Sequence, residues 1–126
     1  MVKDSLVGID VELGTRVLEA LDAAGFAVPA ALWVRWGEEH KWHLLLATPL
    51  YDRLGPGKAY RRLVDALWKV DYDWVRSPIR LESTRKPFVR ALRQLYGKAA
   101  DLPGMRLGGQ MIGDTWIDEA YIYRVK

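Results

Sequence analysis

Cations crowd one short segment of the chain. Arg76, Arg80, Arg85, Lys86, Arg90, Arg93 and Lys98 are opposed there only by Glu82. Lys86, Arg90 and Arg93 are spaced four and three apart, which on a helix places them along one ridge. Such a ridge can track phosphates, because arginine forks and lysine ammonium groups pair with phosphate oxygens, and Ser83 and Thr84 just before it add hydroxyl donors. Arg80, Arg85, Lys86, Arg90 and Arg93 are therefore the candidate anion or nucleic-acid contacts. The plainer reading of the same residues is a solvated helix face in an arginine-rich protein.

Aromatic residues form the second candidate group. The chain has six tryptophans, Trp33, Trp36, Trp42, Trp68, Trp74 and Trp116, and exposed indoles stack on bases or anchor protein interfaces. Trp36 and Trp68 fall on expected core faces. Trp33 instead sits with Arg35 on the strand face opposite Leu32 and Val34. Trp33 and Arg35, joined by Tyr121 and Tyr123 of the last strand, are the candidate protein-interface residues.

Other groupings give weaker chemistry. Asp71 and Asp73 flank Tyr72, and Asp114, Asp118 and Glu119 cluster near the last turn; paired carboxylates do acid and base work only when they converge in a cleft. His40 and His43 lie near Glu38 and Glu39, but positions three apart point to opposite faces of a strand, so this spacing gives no metal site. No G-x-S-x-G is present, there is no cysteine nucleophile, and Gly55-Pro56-Gly57-Lys58 lacks the glycine spacing and the hydroxyl residue of a phosphate loop. No catalytic residue, cofactor or metal is implied.

The elements that position these residues follow from periodicity. Leu13, Val17, Leu21 and Ala24 recur at helical spacing, and Gly25 followed by Phe26 matches a Schellman ending with Phe26 packed on Leu21. Alternation across Leu32 to Trp36 and the leucine-rich Trp42 to Thr48 read as a hairpin. Pro56 opens a second helix with the stripe Tyr60, Leu63, Val64, Leu67 and Trp68. A short strand at Ser77 to Ser83 precedes a third helix that starts at Pro87 and carries the stripe Phe88, Leu92, Leu95 and Tyr96. Two strands near Met105 to Ile112 and Ile117 to Val125 meet across Gly113-Asp114-Thr115. The order α-β-β-α-β-α-β-β predicts an α+β fold, a mixed or mostly antiparallel sheet with helices packed on one face. Strand order does not follow from this pattern; if the last strand, with Tyr121, Ile122, Tyr123 and Val125, lies at the sheet edge, its open backbone would pair with a second copy, guarded only by Arg124 and Lys126.

At 126 residues and 50% hydrophobic, the chain has the size and balance of a single α+β domain spanning 1–126. The N-terminal segment lacks a basic start followed by an apolar run, and no uncharged stretch is long enough to span a bilayer, so neither export nor membrane insertion is expected. The absence of cysteine removes disulfides and fits a reducing, cytoplasmic setting. Net charge is uneven: residues 1–40 carry three basic and seven acidic side chains, residues 41–100 thirteen and five, and the rest three and four. The basic middle points to an anionic partner for one face.

Two stretches, Ala31-Leu32-Trp33 through Ala47-Thr48-Pro49-Leu50 into Gly55-Pro56 and Ala59-Tyr60, and Trp116-Ile117-Asp118-Glu119-Ala120-Tyr121-Ile122-Tyr123-Arg124, resemble small bacterial proteins of unassigned function. The resemblance implies a bacterial, intracellular origin and carries no site residues. The residues themselves lead to a non-enzymatic binding or interaction protein, acting through a sheet edge or its aromatic and arginine surface and forming a homo-oligomer, with itself or another protein as partner. The alternative is a nucleic-acid-binding domain using Arg85, Lys86, Arg90 and Arg93. A hydrolase using the carboxylates of the last hairpin ranks third.

Overall fold

The computed structural model of the protein describes residues 8–36, 41–72, 78–99 and 103–126. Its elements run α1 (Gly8–Ala23), β1 (Ala30–Trp36), β2 (Lys41–Ala47), α2 (Leu50–Leu54), α3 (Pro56–Leu67), β3 (Ile79–Glu82), α4 (Pro87–Tyr96), β4 (Met105–Ile112) and β5 (Thr115–Val125). The class is α+β, in the expected order, with the short α2 added where Thr48 accepts the Leu50 amide at 3.2 Å and turns the chain out of β2. No helix among the described residues is long and apolar enough to cross a membrane.

α1 stops as its sequence dictates. Gly25 has φ +72°, the Phe26 amide donates to the Leu21 carbonyl at 2.9 Å, and the Gly25 amide donates to that of Asp22 at 3.1 Å. These are the two bonds of a Schellman ending, and Phe26 packs in the same core as Leu21.

The five strands form one sheet in the order β3-β2-β1-β5-β4. β1 pairs antiparallel with both β2 and β5, β4 pairs antiparallel with β5, and β2 pairs parallel with β3. The parallel pair requires a crossover, and α2 and α3 supply it. Alternation along β1 and β2 divides the interior into two cores. Ala31, Trp33, Leu44 and Leu46 face α1 and α3, whereas Leu32, Val34, Leu45 and Ala47 face Phe88, Val89 and Leu92 of α4. Helices therefore cover both faces, and α4 departs from the one-face arrangement. The reason lies in β2, where Leu44, Leu45, Leu46 and Ala47 are all fully buried. Apolar groups on both faces demand a cover on both.

The last strand is interior, not an edge. β5 lies between β1 and β4, so both sides of its backbone are paired and the open edges are β3 and β4. Between Ala31 and Leu32 the register with β1 slips past Tyr123. At this bulge the Tyr123 hydroxyl donates to the Val11 carbonyl of α1 at 2.7 Å and accepts from the Trp33 indole at 2.9 Å. Burial raises the Tyr123 phenol well above its usual pKa.

Candidate functional site

β3 alternates. Ile79 and Leu81 are buried in the α3-side core, leaving Arg80 and Glu82 on the α4 side. The chain then turns through Ser83 to Lys86 and enters α4 at Pro87, which occupies the first helical turn where its missing amide matters least. Arg80 Nε donates to Glu82 Oε2 at 3.0 Å, and the Arg80 guanidinium lies 5.6 Å from the Trp36 ring centroid at the end of β1. Trp36 in turn meets Phe88 edge-on at 5.3 Å. Stacking on the indole and the bond to Glu82 hold a long, otherwise mobile side chain in one place.

The β4–β5 turn closes this group from the far edge of the sheet. A side chain added at Gly113 would run into the Pro87 carbonyl and Ala91, so the turn sits directly against α4. Ile117, Ala120 and Ile122 all belong to the α4-side core, which strict alternation forbids, and the change of phase falls at Asp118 and Glu119. Arg35 reaches both, with Nη2 at 2.7 Å from Glu119 and Nη1 at 3.9 Å from Asp118. The change of phase leaves Trp116 half exposed at 53%, its indole N–H on Asp118 at 3.2 Å.

Trp36, Phe88 and Trp116 thus line one cavity of about 460 Å³ together with Arg80, Glu82 and Lys86, and Asp114 stands at its mouth. A second cavity of about 680 Å³ shares Arg80, Glu82 and Lys86 and adds Tyr51, Tyr60 and Arg85. Arg80, Glu82 and Lys86 line both, so the two cavities adjoin along the β3 edge and together make up the cleft there. Both volumes fall in the range of about 300–1,000 Å³ usual for small-ligand sites. Glu82 is only 6% exposed. On the second side the Tyr60 hydroxyl accepts the outward Leu81 amide at 3.0 Å, so the edge donor is satisfied. Ser83 Oγ accepts the Arg85 amide at 3.0 Å and donates to Asp52 at 2.7 Å, which fixes the turn.

The expected anion-binding residues separate in space. Arg80, Arg85 and Lys86 converge on the cleft. Arg90 is exposed further along α4, and Arg93 donates from Nε to the Lys126 carbonyl at 2.6 Å, which ties it to the C-terminal residue. The expected interface residues are mostly inside. Trp33 is fully buried because α1 covers the face opposite Leu32 and Val34, and its indole is bound to Tyr123. Tyr121 is half-buried under the Arg106 guanidinium at 5.2 Å, and Arg35 is engaged by the two acids of β5. Trp68 is 75% exposed, since α3 buries Ala59, Leu63 and Leu67 and the stripe of Trp68 lies one residue past them.

Of the described carboxylates weighed for hydrolysis, Asp114 lines the ring cavity, where its oxygen accepts from Thr115 at 3.0 Å. Asp71 is exposed, Asp118 is bonded as described, and Asp73 lies outside the described residues. Glu38, Glu39, His40, Trp74, Arg76 and Ser77 also lie outside them. Among the described residues no group of three His, Asp or Glu could hold a metal. Sequence reasoning missed Glu82 and Trp116 as site residues. The one signal for Glu82 was the Arg-x-Glu alternation, which puts both groups on one strand face; nothing in the sequence brought Trp116 to it. Comparison with protein-family models, with curated proteins and with solved structures found no match to the chain.

Proposed function

We propose that the chain is a non-enzymatic binding protein whose contact surface is the aromatic and arginine cleft along β3. One observation carries this reading: β1, β3, the turn into α4 and the start of β5, four separate segments, deliver Trp36, Arg80, Lys86 and Trp116 to the same cavity. Indoles supply large, stiff contact area and the arginine supplies a directional fork, the combination that dominates binding energy at interfaces. Its place of action is the bacterial cytoplasm, in keeping with a cysteine-free chain.

Self-association belongs to the same reading but moves to another strand. β4 is an eight-residue open edge whose only charged residue is Arg106, and its Met111 is 57% exposed. Such an edge invites pairing with a second copy. Nucleic-acid binding is the second reading, favoured by Arg85 and Lys86, whose side chains have no ion-pair partner among the described residues.

Thermal-shift titration with a panel of aromatic anions tests the first reading. Wild type is expected to gain stability with at least one of them by mass action, and Trp116→Ala combined with Lys86→Glu to lose that gain. Equal gains in both proteins would place the binding surface elsewhere.

A further inference from the structure

We propose that the basic cavity beside β3 binds a small phosphomonoester by its terminal, doubly charged phosphate. The inference rests on the cleft being the binding surface and names the ligand class of its polar half. Its first support is charge. Arg80, Arg85 and Lys86 line this cavity against a single carboxylate, Glu82, a surplus of two positive charges. A phosphomonoester carries about −1.5 to −2 near neutral pH, whereas a phosphodiester, a sulfate ester or a carboxylate carries a single negative charge. Glu82 is only 6% exposed and accepts from Arg80 Nε at 3.0 Å, so it acts by holding that guanidinium and not by touching the ligand. The terminal nitrogens of Arg80 have no ion-pair partner among the described residues. His43 also lines the cavity, with Nδ1 on the Lys41 carbonyl at 3.2 Å, and adds no negative charge in either protonation state.

The second support is the supply of unspent donors. The Tyr51 hydroxyl has no hydrogen-bond partner among the described residues. Tyr60 accepts the Leu81 amide at 3.0 Å and keeps its own proton to donate. Arg85 and Lys86 have no ion-pair partner among the described residues. Ser83 stands outside this set, because it gives its proton to Asp52 at 2.7 Å. Phenols, arginine forks and an ammonium group thus surround one opening. A terminal phosphate presents three strong acceptor oxygens to them, and a diester presents one fewer.

The geometry favours a small ester over a phosphate carried on a chain. A nucleic-acid strand needs cations in series, but Arg93 is tied to the Lys126 carbonyl at 2.6 Å and Arg90 lines neither cavity. The cations that remain converge. A phosphopeptide would gain by pairing its backbone along the β3 edge, and there Tyr60 already occupies the Leu81 amide. At about 680 Å³ the cavity is of small-ligand size, with room beside the phosphate for a compact body such as a sugar.

The test is isothermal titration of the full chain with glycerol phosphate, ribose phosphate, inorganic phosphate, dimethyl phosphate, methyl sulfate, a phosphoserine peptide and a single-stranded oligonucleotide without terminal phosphates. Amide resonances of Leu81, Arg85 and Lys86 locate each event. Naphthalene sulfonate, read at the Trp36 and Trp116 indoles, reports on the ring-lined cavity independently. At least one small monoester is expected to bind at least about tenfold tighter than dimethyl phosphate or methyl sulfate. Arg85→Glu, at an exposed residue outside both cores, should weaken that binding at least about tenfold with Tm unchanged, and Tyr51→Phe should weaken it about threefold. Arg90→Glu should leave it within about twofold. Equal affinity for monoester and diester, or equal losses in Arg85→Glu and Arg90→Glu, overturns the convergent site. Inorganic phosphate binding as tightly as either ester overturns the ester in favour of the free anion. Tighter binding of the peptide or the oligonucleotide than of both small monoesters overturns the small-ligand inference in favour of a chain. If the sulfonate shifts the indoles while no monoester moves Leu81, Arg85 or Lys86, the phosphomonoester inference fails and the cleft stands as a binding surface. If no ligand moves either set of resonances, both fail.

Discussion

Gly14 sits in the middle of α1 and is buried, and replacing it with alanine sets two effects of opposite sign against each other. In an isolated helix the change stabilises by about 1 kcal/mol, since glycine has the greater backbone entropy to lose. In this fold the new Cβ would collide with the Tyr123 hydroxyl and two ring carbons. That ring is held by the Trp33 indole at 2.9 Å and the Val11 carbonyl at 2.7 Å, so it cannot swing aside without breaking both bonds. Overpacking costs about 1–3 kcal/mol, and leaving a buried donor or acceptor unpaired adds about 1–3 kcal/mol. The balance is a net loss of about 3 kcal/mol. For a chain of 126 residues this lowers Tm by about 12 °C, at roughly 4 °C per kcal/mol. Differential scanning calorimetry on Gly14→Ala alone and in a Tyr123→Leu background separates the terms. With the ring removed, the alanine should stabilise by up to about 1 kcal/mol. A raised Tm for Gly14→Ala in the wild-type background, or the same sign in both, would refute the reasoning.

Three further outcomes follow from the geometry. Asp22, bonded to Arg124 by two hydrogen bonds at 2.8 and 3.0 Å, has its pKa lowered first by that side-chain bond. Its contribution is present above the ordinary carboxylate value and lost as pH falls through the depressed one. Wild type should therefore exceed Asp22→Asn in stability near neutral pH, and chemical denaturation should show the small gap closing below about pH 4 and shrinking in high salt. If β4 pairs with a second copy, Met111→Lys should lower the mass measured by light scattering; a wild-type monomer across the micromolar range would end the self-association reading. If the cleft holds phosphates of a strand, Arg85→Glu with Lys86→Glu should reduce oligonucleotide retardation and flatten its salt dependence by about 0.7–0.9 per lost contact, while Arg93→Glu changes little. Equal losses in the two proteins would restore the helix ridge as the contact.

Local signals in the sequence were readable wherever the cause was local. Gly25 and Phe26 end α1 because a left-handed residue followed by an apolar one suits the Schellman ending, and Pro87 starts α4 because its ring suits the first turn. What needed the whole chain was not readable. The side of the sheet taken by α4 depends on β2 being apolar on both faces, and the burial of Trp33 depends on α1 lying over it. β5 lies inside the sheet, on the side of β1 that β2 leaves open, a fact about strand order that periodicity does not carry. The basic run showed where the cations were in the chain but not that Arg93 would bind the C-terminal residue while Arg80 turned onto Trp36. The cleft joins segments from Trp36 to Trp116, a sequence separation over which spacing rules say nothing.

If Trp36, Arg80, Lys86 and Trp116 act as one binding surface, an amide and indole chemical-shift map of the labelled protein titrated with a stabilising aromatic anion reads this directly. Shifts concentrated at Trp36, Arg80, Glu82, Lys86 and Trp116, saturating together and abolished in Lys86→Glu with Trp116→Ala, are the predicted result. Saturable shifts centred on β4 or on the exposed face of α3 around Trp68, with the cleft residues unmoved, would contradict it.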